Sequence, residues 1–310
     1  MTSGDAAASS LTLGRRTVVL THPDRLLFPD DAITKRELAD YHAAMAPHML
    51  PHLRGRPLML QRFPQGIDGP GFMQKDARGL PDWVHRVEVR KEGGTVTHPI
   101  ADDAATLVVL ANQSCVTLHA WLSRVGHLEC PDQIIFDLDP SADDLPLVCE
   151  AARALRGLLD ELELPAYLKT SGSRGLHVVT PLDGRTGLEE VRAFAHDVAS
   201  VLVARMPDAL TVEFRKEKRQ GRLFVDTLRS GYAQTAVAPY SVRPLPGAPV
   251  AAPLRWEELD EPGFHVRRHT LRTVPERVER EGDPWAGMGR HARALHGPRR
   301  RLAGLQGRHG

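Results

Sequence analysis

Cysteine is scarce: Cys115, Cys130 and Cys149 are the three in 310 residues. Their separations of 15 and 19 residues match no paired zinc-ligand spacing. An odd, sparse set of this kind reads as reduced thiols buried like small apolar side chains. Long hydrophobic runs are also missing, so no segment approaches the length needed to span a bilayer. Met1 to Ser10 is small and polar and lacks the basic-then-apolar pattern of a secretory leader. No internal repeat is visible. A membrane protein and a secreted disulfide scaffold are therefore set aside, and a cytoplasmic protein is expected.

What the chain does have is apolar content of 42%, enough for a sizeable core. At 310 residues it forms either two lobes or one large domain with appendages. The net charge of +1 hides an uneven distribution. Gly289 to Gly310 carries six arginines, three histidines and no acid. A second basic cluster, Arg215 to Arg222, lies between two strand-like runs. Basic clusters are commonly solvated surface, but several in one chain favour a polyanionic partner such as DNA or RNA. The last twenty or so residues lack an apolar period and are expected to be a flexible tail.

The coarse layout is α/β of mixed order. Thr34 and Glu37 form a capping box that opens a helix to about Leu53. His42, His48 and His52 on that helix, interrupted by Pro47 and Pro51, are expected on its surface. Leu58 to Phe63 reads as a strand and Val84 to Ile100 as a hairpin. Asp102-Asp103 then opens a long apolar helix toward Val125. Further helices are expected over Leu145–Leu162 and Leu188–Met206, and strands at Ala166–Lys169, Leu176–Thr180, Thr211–Phe214 and Leu223–Val225.

The most informative run is Ile134-Ile135-Phe136-Asp137-Leu138-Asp139-Pro140. A short apolar run closed by proline reads as a buried strand. Residues two apart on a strand share a face, so Asp137 and Asp139 stand side by side. Like charges so placed repel, more so when buried, and a divalent cation with a preference for hard oxygens relieves this. The pair alone is also compatible with a loop start or helix cap, with an aspartyl-nucleophile phosphatase and with a glycosyltransferase.

Two further constellations extend the pattern. Thr170-Ser171-Gly172-Ser173-Arg174-Gly175-Leu176-His177 lets backbone amides approach an anion while a guanidinium grips it. His177, entering the next strand, can donate to a phosphate or ribose. An ordinary strand-connecting turn reads the same way locally. Gly221 to Arg229 places Asp226 after an apolar strand, where it completes a three-carboxylate set able to hold two cations for phosphoryl transfer. Downstream, Tyr240-Ser241-Val242-Arg243 supplies a hydroxyl and an arginine suited to a triphosphate.

In this order the pieces resemble the polymerase domain of bacterial DNA ligase D, of the archaeo-eukaryotic primase superfamily, which serves non-homologous end joining. The resemblance also rests on Leu20 to Arg25, Thr34-Lys35, Gly55-Arg56-Pro57, Phe72-Met73-Gln74-Lys75 and Asp283-Pro284-Trp285-Ala286, and spans about residues 18 to 288. It implies a mixed-sheet primase-like catalytic core at 18–288, with a disordered segment at 1–17 and the basic tail at 289–310. It also implies that Asp137, Asp139 and Asp226 hold two Mn2+ or Mg2+ ions, with Asp226 helping to place the primer 3′-hydroxyl. His119 would lie near the sugar of the NTP or dNTP substrate, and Ser171, Arg174, Gly175, His177 and Arg243 near its phosphates. Arg25 and Lys35 would recognise the 5′-phosphate across a gap. Phe72 and Lys75 would meet the template, and Arg219 would help align DNA ends. Ribonucleotides and manganese are the expected preferences.

The sequence departs from the family pattern at several of these positions. Arg25 and Arg174 stand where lysine is common, keeping charge with different donor geometry. His22 replaces asparagine, and Gln61 replaces a frequent lysine and removes a charge. No ligase sequence follows within 310 residues, so a separate DNA ligase and an end-binding protein are expected partners, with a nucleoid-associated location. The expected activity is templated primer extension and gap filling. The alternatives are a primase acting without a primer, a catalytically silent end-bridging module, and a phosphatase using Asp137 as nucleophile.

Overall fold

In the computed structural model, which describes residues 9–141 and 144–306, the chain begins with two hairpins. Strands β1 (Ser10–Leu13) and β2 (Arg16–Val19) form the first, and β3 (Leu26–Phe28) and β4 (Ile33–Thr34) the second. Helix α1 (Lys35–Leu53) follows, and its capping box is present as expected: the Thr34 hydroxyl accepts from Glu37 N while the Glu37 carboxylate accepts from Thr34 N. Next come β5 (Leu58–Arg62), β6 (Phe72–Gln74), the hairpin of β7 (Arg86–Lys91) and β8 (Gly94–Pro99), helix α2 (Ala104–Asn112) and β9 (Cys115–Trp121). The second half of the chain supplies β10 (Gln133–Asp139), α3 (Leu145–Glu161), β11 (Tyr167–Thr170), β12 (Leu176–Pro181) and α4 (Leu188–Arg205). It ends with β13 (Leu210–Thr211), β14 (Leu223–Asp226), β15 (Thr235–Val237), β16 (Pro253–Leu254), α5 (Val274–Glu281) and α6 (His296–Gln306).

Two sheets organise these elements. A six-stranded sheet runs β13-β14-β10-β12-β11-β16, and a four-stranded sheet runs β15-β9-β5-β6. Side chains alternate across a strand, so β10 sends Ile134, Phe136 and Leu138 to one face. There they pack with Leu155, Leu158, Phe194 and Val198 of α3 and α4. The other face carries Ile135, Asp137 and Asp139. Ile135 and Val179 meet Leu122, Ala236 and Trp285 from the second sheet and the late loop. The apolar half of this inter-sheet layer ties the sheets together, and its other half is left to the aspartates. The fold is the mixed α/β type expected from the sequence.

Four expectations are corrected. His119 lies on β9, not on a long helix: α2 ends at Asn112, and Ser114 takes a positive φ of 55° before a run rich in strand-forming residues. His42 is buried, with Nδ1 2.8 Å from the Leu107 carbonyl oxygen, because α1 packs against α2 on that face. The basic tail contains α6, whose Leu302 is buried with Leu295 against α4 and α3 residues. Arg299 pairs with Glu190, and Arg301 Nη2 lies 2.5 Å from Glu163 Oε1. At the other end, residues 10–13 and 16–19 are paired strands rather than a disordered lead. The parts of these two calls that fall on residues 1–8 and 307–310 lie outside the described residues.

Candidate active site

Strand register brings the three aspartates together. Asp137 of β10 stands directly opposite Asp226 of β14, and Asp139 opposite Phe224. On the other side of β10, Asp137 faces His177 of β12. The cleft above them, ≈ 370 Å³, is lined by all three aspartates together with His119, Ser171, Arg174, Gly175, His177, Arg219, Arg229 and Arg243. Sequence reasoning named all of these except Arg229. That arginine follows Asp226 by three residues, and its charge three positions after a site carboxylate was the available signal.

The carboxylates are balanced by cations. Arg229 lies 3.4 Å from Asp137 and 3.6 Å from Asp226, Arg174 3.3 Å from Asp139, and Arg219 3.6 Å from Asp139. Burial raises the Asp137 carboxyl, but His177, Arg229 and Lys169 outweigh it and hold the group well below the usual carboxylate range. Asp226 moves the other way, raised by burial and by the Asp137 charge against the opposing Leu228 amide and Arg229. Two adjacent carboxyls with their protonation pushed apart mark a working site more often than a structural one. Burial, with nearby positive charge, lowers His119 to about 3 and His177 to about 4, so both rings are neutral at physiological pH.

The loop from β11 to β12 is shaped for close approach. The Ser171 hydroxyl accepts from the amides of Ser173 and Gly175 at 3.2 and 3.1 Å, folding the turn onto itself. A Cβ at Gly175 would lie 2.1 Å from the Leu138 carbonyl oxygen, and one at Gly172, where φ is +66°, would lie 2.6 Å from Arg243 Cγ. Only glycine lets this loop sit against β10 and the Arg243 side chain. The Arg243 Nε is buried and has no hydrogen-bond partner among the described residues, an uncommon state for a buried donor.

Hard carboxylate oxygens on adjacent strands suit a divalent cation. Among the described residues, however, no three His, Cys, Asp or Glu side chains already converge on one point, because Asp139 turns to Arg174 and Arg219 while Asp137 and Asp226 share Arg229. The donor set fits a cation that replaces guanidinium charge. It is not a preformed cage.

A second cluster lies away from the cleft. Lys35 is 3% exposed, donates to the Thr21 carbonyl at 2.6 Å, and is lowered to about 8 by burial and by Arg25 and Arg62. Arg25 donates to the Pro64 carbonyl at 2.7 Å. Arg62, which sequence reasoning did not single out, donates to Gln113 and Gln74 and stacks over Phe72 at 5.4 Å. Its approach to Lys35 is a tertiary event with no local motif to announce it. Phe72 and Met73 are 46% and 45% exposed, an apolar pair on the same β6 edge, and Lys75 is exposed beyond them.

Arg219, expected to help align DNA ends, packs inside its own loop at the cleft wall. It is buried, donates to the carbonyls of Glu213 and Phe214, and lies over the Phe224 ring at 4.0 Å. Its guanidinium pins the loop from inside, while its neighbours Arg215, Lys216 and Lys218 are exposed.

Residues 34–285 match the family model described as the LigD primase-polymerase domain. The fold is thus that of a nucleotidyltransferase of the primase-polymerase type. The chain is 37% identical over 276 residues to the multifunctional non-homologous end joining DNA repair protein LigD of Mycobacterium tuberculosis, covering 86% of this chain and 36% of that protein. It is 35% identical over 303 residues to LigD of Pseudomonas aeruginosa, covering 96% and 36%. Against the bifunctional LigD of Bacillus subtilis it is 30% identical over 267 residues, covering 86% and 43%. The chain therefore spans between a third and a half of the length of these relatives. The polymerase domain of Mycobacterium tuberculosis ligase D in complex with DNA superposes with a TM-score of 0.83 at 36% identity, covering 89% of this chain and 99% of that one. The chain belongs to the LigD primase-polymerase family.

Proposed function

We propose that the chain is a template-dependent nucleotidyltransferase that extends primers and fills short gaps at DNA ends in non-homologous end joining, with ribonucleotides favoured. The observation that carries this is the register of β10 and β14. It sets Asp137 against Asp226, with Asp139 on the same face, in a cleft that also holds His177, Ser171 and Arg243. A phosphatase with Asp137 as nucleophile gives no reason for Asp226 to face it.

Asp137, Asp139 and Asp226 would hold two Mn2+ or Mg2+ ions, which when bound supply charge neutralisation at the attacking and leaving oxygens. Asp226, at the open end of β14, orients the primer 3′-hydroxyl. The neutral His177 donates to a phosphate oxygen, and Arg243 and Arg174 offset the triphosphate charge. His119, on the opposite sheet, faces the sugar. Arg229, within 3.4 Å of Asp137 and 3.6 Å of Asp226, is placed to offset the charge of the incoming anion as well.

Arg25, Lys35 and Arg62 form the receptor for the 5′-phosphate across the gap, with Phe72 against the template. Among the described residues no helix is long and apolar enough to cross a membrane. A DNA-repair role places the protein in the cytoplasm with the nucleoid, alongside a DNA ligase and an end-binding protein. Extension of a labelled primer on a 5′-phosphorylated gap, with ribo- and deoxyribonucleotides offered separately, tests this reading. Templated addition with a faster ribonucleotide reaction supports it. DNA binding without extension would replace it with an end-bridging role.

A further inference from the structure

Four neighbouring strands of the large sheet place their titratable side chains in one row. Lys169 of β11 pairs with His177, His177 with Asp137, and Asp137 with Asp226. Directly opposed residues share a face with Cβ atoms about 4.5–5.5 Å apart, so the row is a continuous strip from the sheet interior to the open cleft. Asp137, Asp226 and His177 have roles in the proposed transfer. Lys169 has none, although it is among the largest fully buried side chains in the protein.

Lys169 is poorly satisfied where it stands. Its ammonium is in no ion pair among the described residues, and its one hydrogen bond is a 3.5 Å contact to the adjacent Thr170 carbonyl. Its row neighbour has the complementary need. His177 points Nε2 at Asp137, 3.4 Å away, while its buried Nδ1 has no partner among the described residues. Buried polar atoms of this kind are seldom left unpaired. A lysine side chain is long, and its three donors are rotatable.

We propose that Lys169 is a positioning residue for His177: it donates to Nδ1 and so keeps the ring proton on Nε2, the nitrogen that faces the cleft. The hydrogen bond at one ring nitrogen decides the state of the other. With Nδ1 engaged as acceptor, Nε2–H is a donor, to Asp137 or to a phosphate oxygen of the nucleotide. With Nδ1 free to hold the proton, Nε2 would turn a lone pair toward a carboxylate or a phosphate, and both contacts would become repulsive. Burial lowers Lys169 to about 7, yet the amine has N–H donors in either protonation state, so the arrangement does not depend on its charge.

The consequence for nucleotide binding rests on the nucleotidyl-transfer reading, but the tautomer can be measured without any reaction. In protein carrying isotope-labelled histidine, NMR distinguishes the protonated ring nitrogen, and a His177→Gln sample assigns the signal. The unmodified protein should show His177 as the Nε2–H form, and Lys169→Met, of similar length and without donors, should shift it toward Nδ1–H. The same variant should raise the KM for nucleotide, on the order of the 10–100-fold loss seen when the partner behind a metal-ligating histidine is removed, with primer-template affinity unchanged. An Nδ1–H ring in the unmodified protein would overturn the proposal even if the variant does not fold. So would an Nε2–H ring that persists in Lys169→Met. A shifted tautomer in a chain that extends no primer would leave this assignment standing and remove the function proposed above.

Discussion

The aspartate cleft and the Arg25–Lys35–Arg62 cluster are both charged, and they are built on opposite plans. In the cleft every aspartate faces a guanidinium within 3.6 Å or less. In the cluster, among the described residues, the cations have only neutral oxygens as hydrogen-bond partners: the carbonyls of Thr21, Pro64 and Gln113 and the amides of Gln74 and Gln113. A balanced site must give up an existing pair before it takes a ligand, which suits a reaction that begins only when metal and nucleotide arrive together. An unbalanced one is an anion receptor as it stands, because like charges held close gain from any anion placed between them.

The largest expected effect breaks the balanced site. Asp137→Ala or Asp226→Ala should reduce primer extension by on the order of a hundredfold or more, the equivalent of several kcal/mol of transition-state stabilisation. Duplex binding, read by fluorescence anisotropy, should hold or tighten, since removing an acid cannot weaken attraction to phosphate. Phe136→Ala separates chemistry from architecture on the same strand. Its fully buried ring points away from the cleft, and its loss should cost about 3–5 kcal/mol in chemical denaturation.

Lys35→Ala addresses the unbalanced site. It should weaken the preference for a 5′-phosphorylated over an unphosphorylated gap by about 1–3 kcal/mol and leave extension on an open primer-template unchanged. Equal use of both gaps by the unmodified protein would remove the assignment. The smallest effect is its pH dependence. Lys35, lowered to about 8, is charged below that value and neutral above it. The phosphate preference should therefore be full near neutrality and decline as pH rises through about 8, measured as the ratio of rates on the two gaps.

The same contrast explains what was legible in the sequence. The balanced site is made of contiguous motifs at strand ends: a short apolar run carrying Asp137 and Asp139, a glycine-bearing turn, and a second run ending in Asp226. Local pattern reaches that far, and the capping box of α1 and the hairpin of β7 and β8 were equally readable. The pairing of Asp137 with Asp226 needed the register, which no local pattern states. His119 was misplaced because residues 104–121 are buried almost throughout, and an apolar stretch without a polar face does not reveal its period. Helix α6 was missed for the converse reason, since it buries only Pro298 and Leu302. The unbalanced site was half visible: Arg25 and Lys35 follow from resemblance, while Arg62 joins them only through the packing of β5.

Templated nucleotidyl transfer by three strand-borne carboxylates is the function proposed for the cleft. It is tested most directly by single-turnover extension of a primer on a gapped duplex, with divalent cation supplied and then chelated, and with Asp226→Ala run alongside. Additions should be dictated by the template base, arrested by the chelator and absent from the variant. Extension by Asp226→Ala at the rate of the unmodified chain would contradict it.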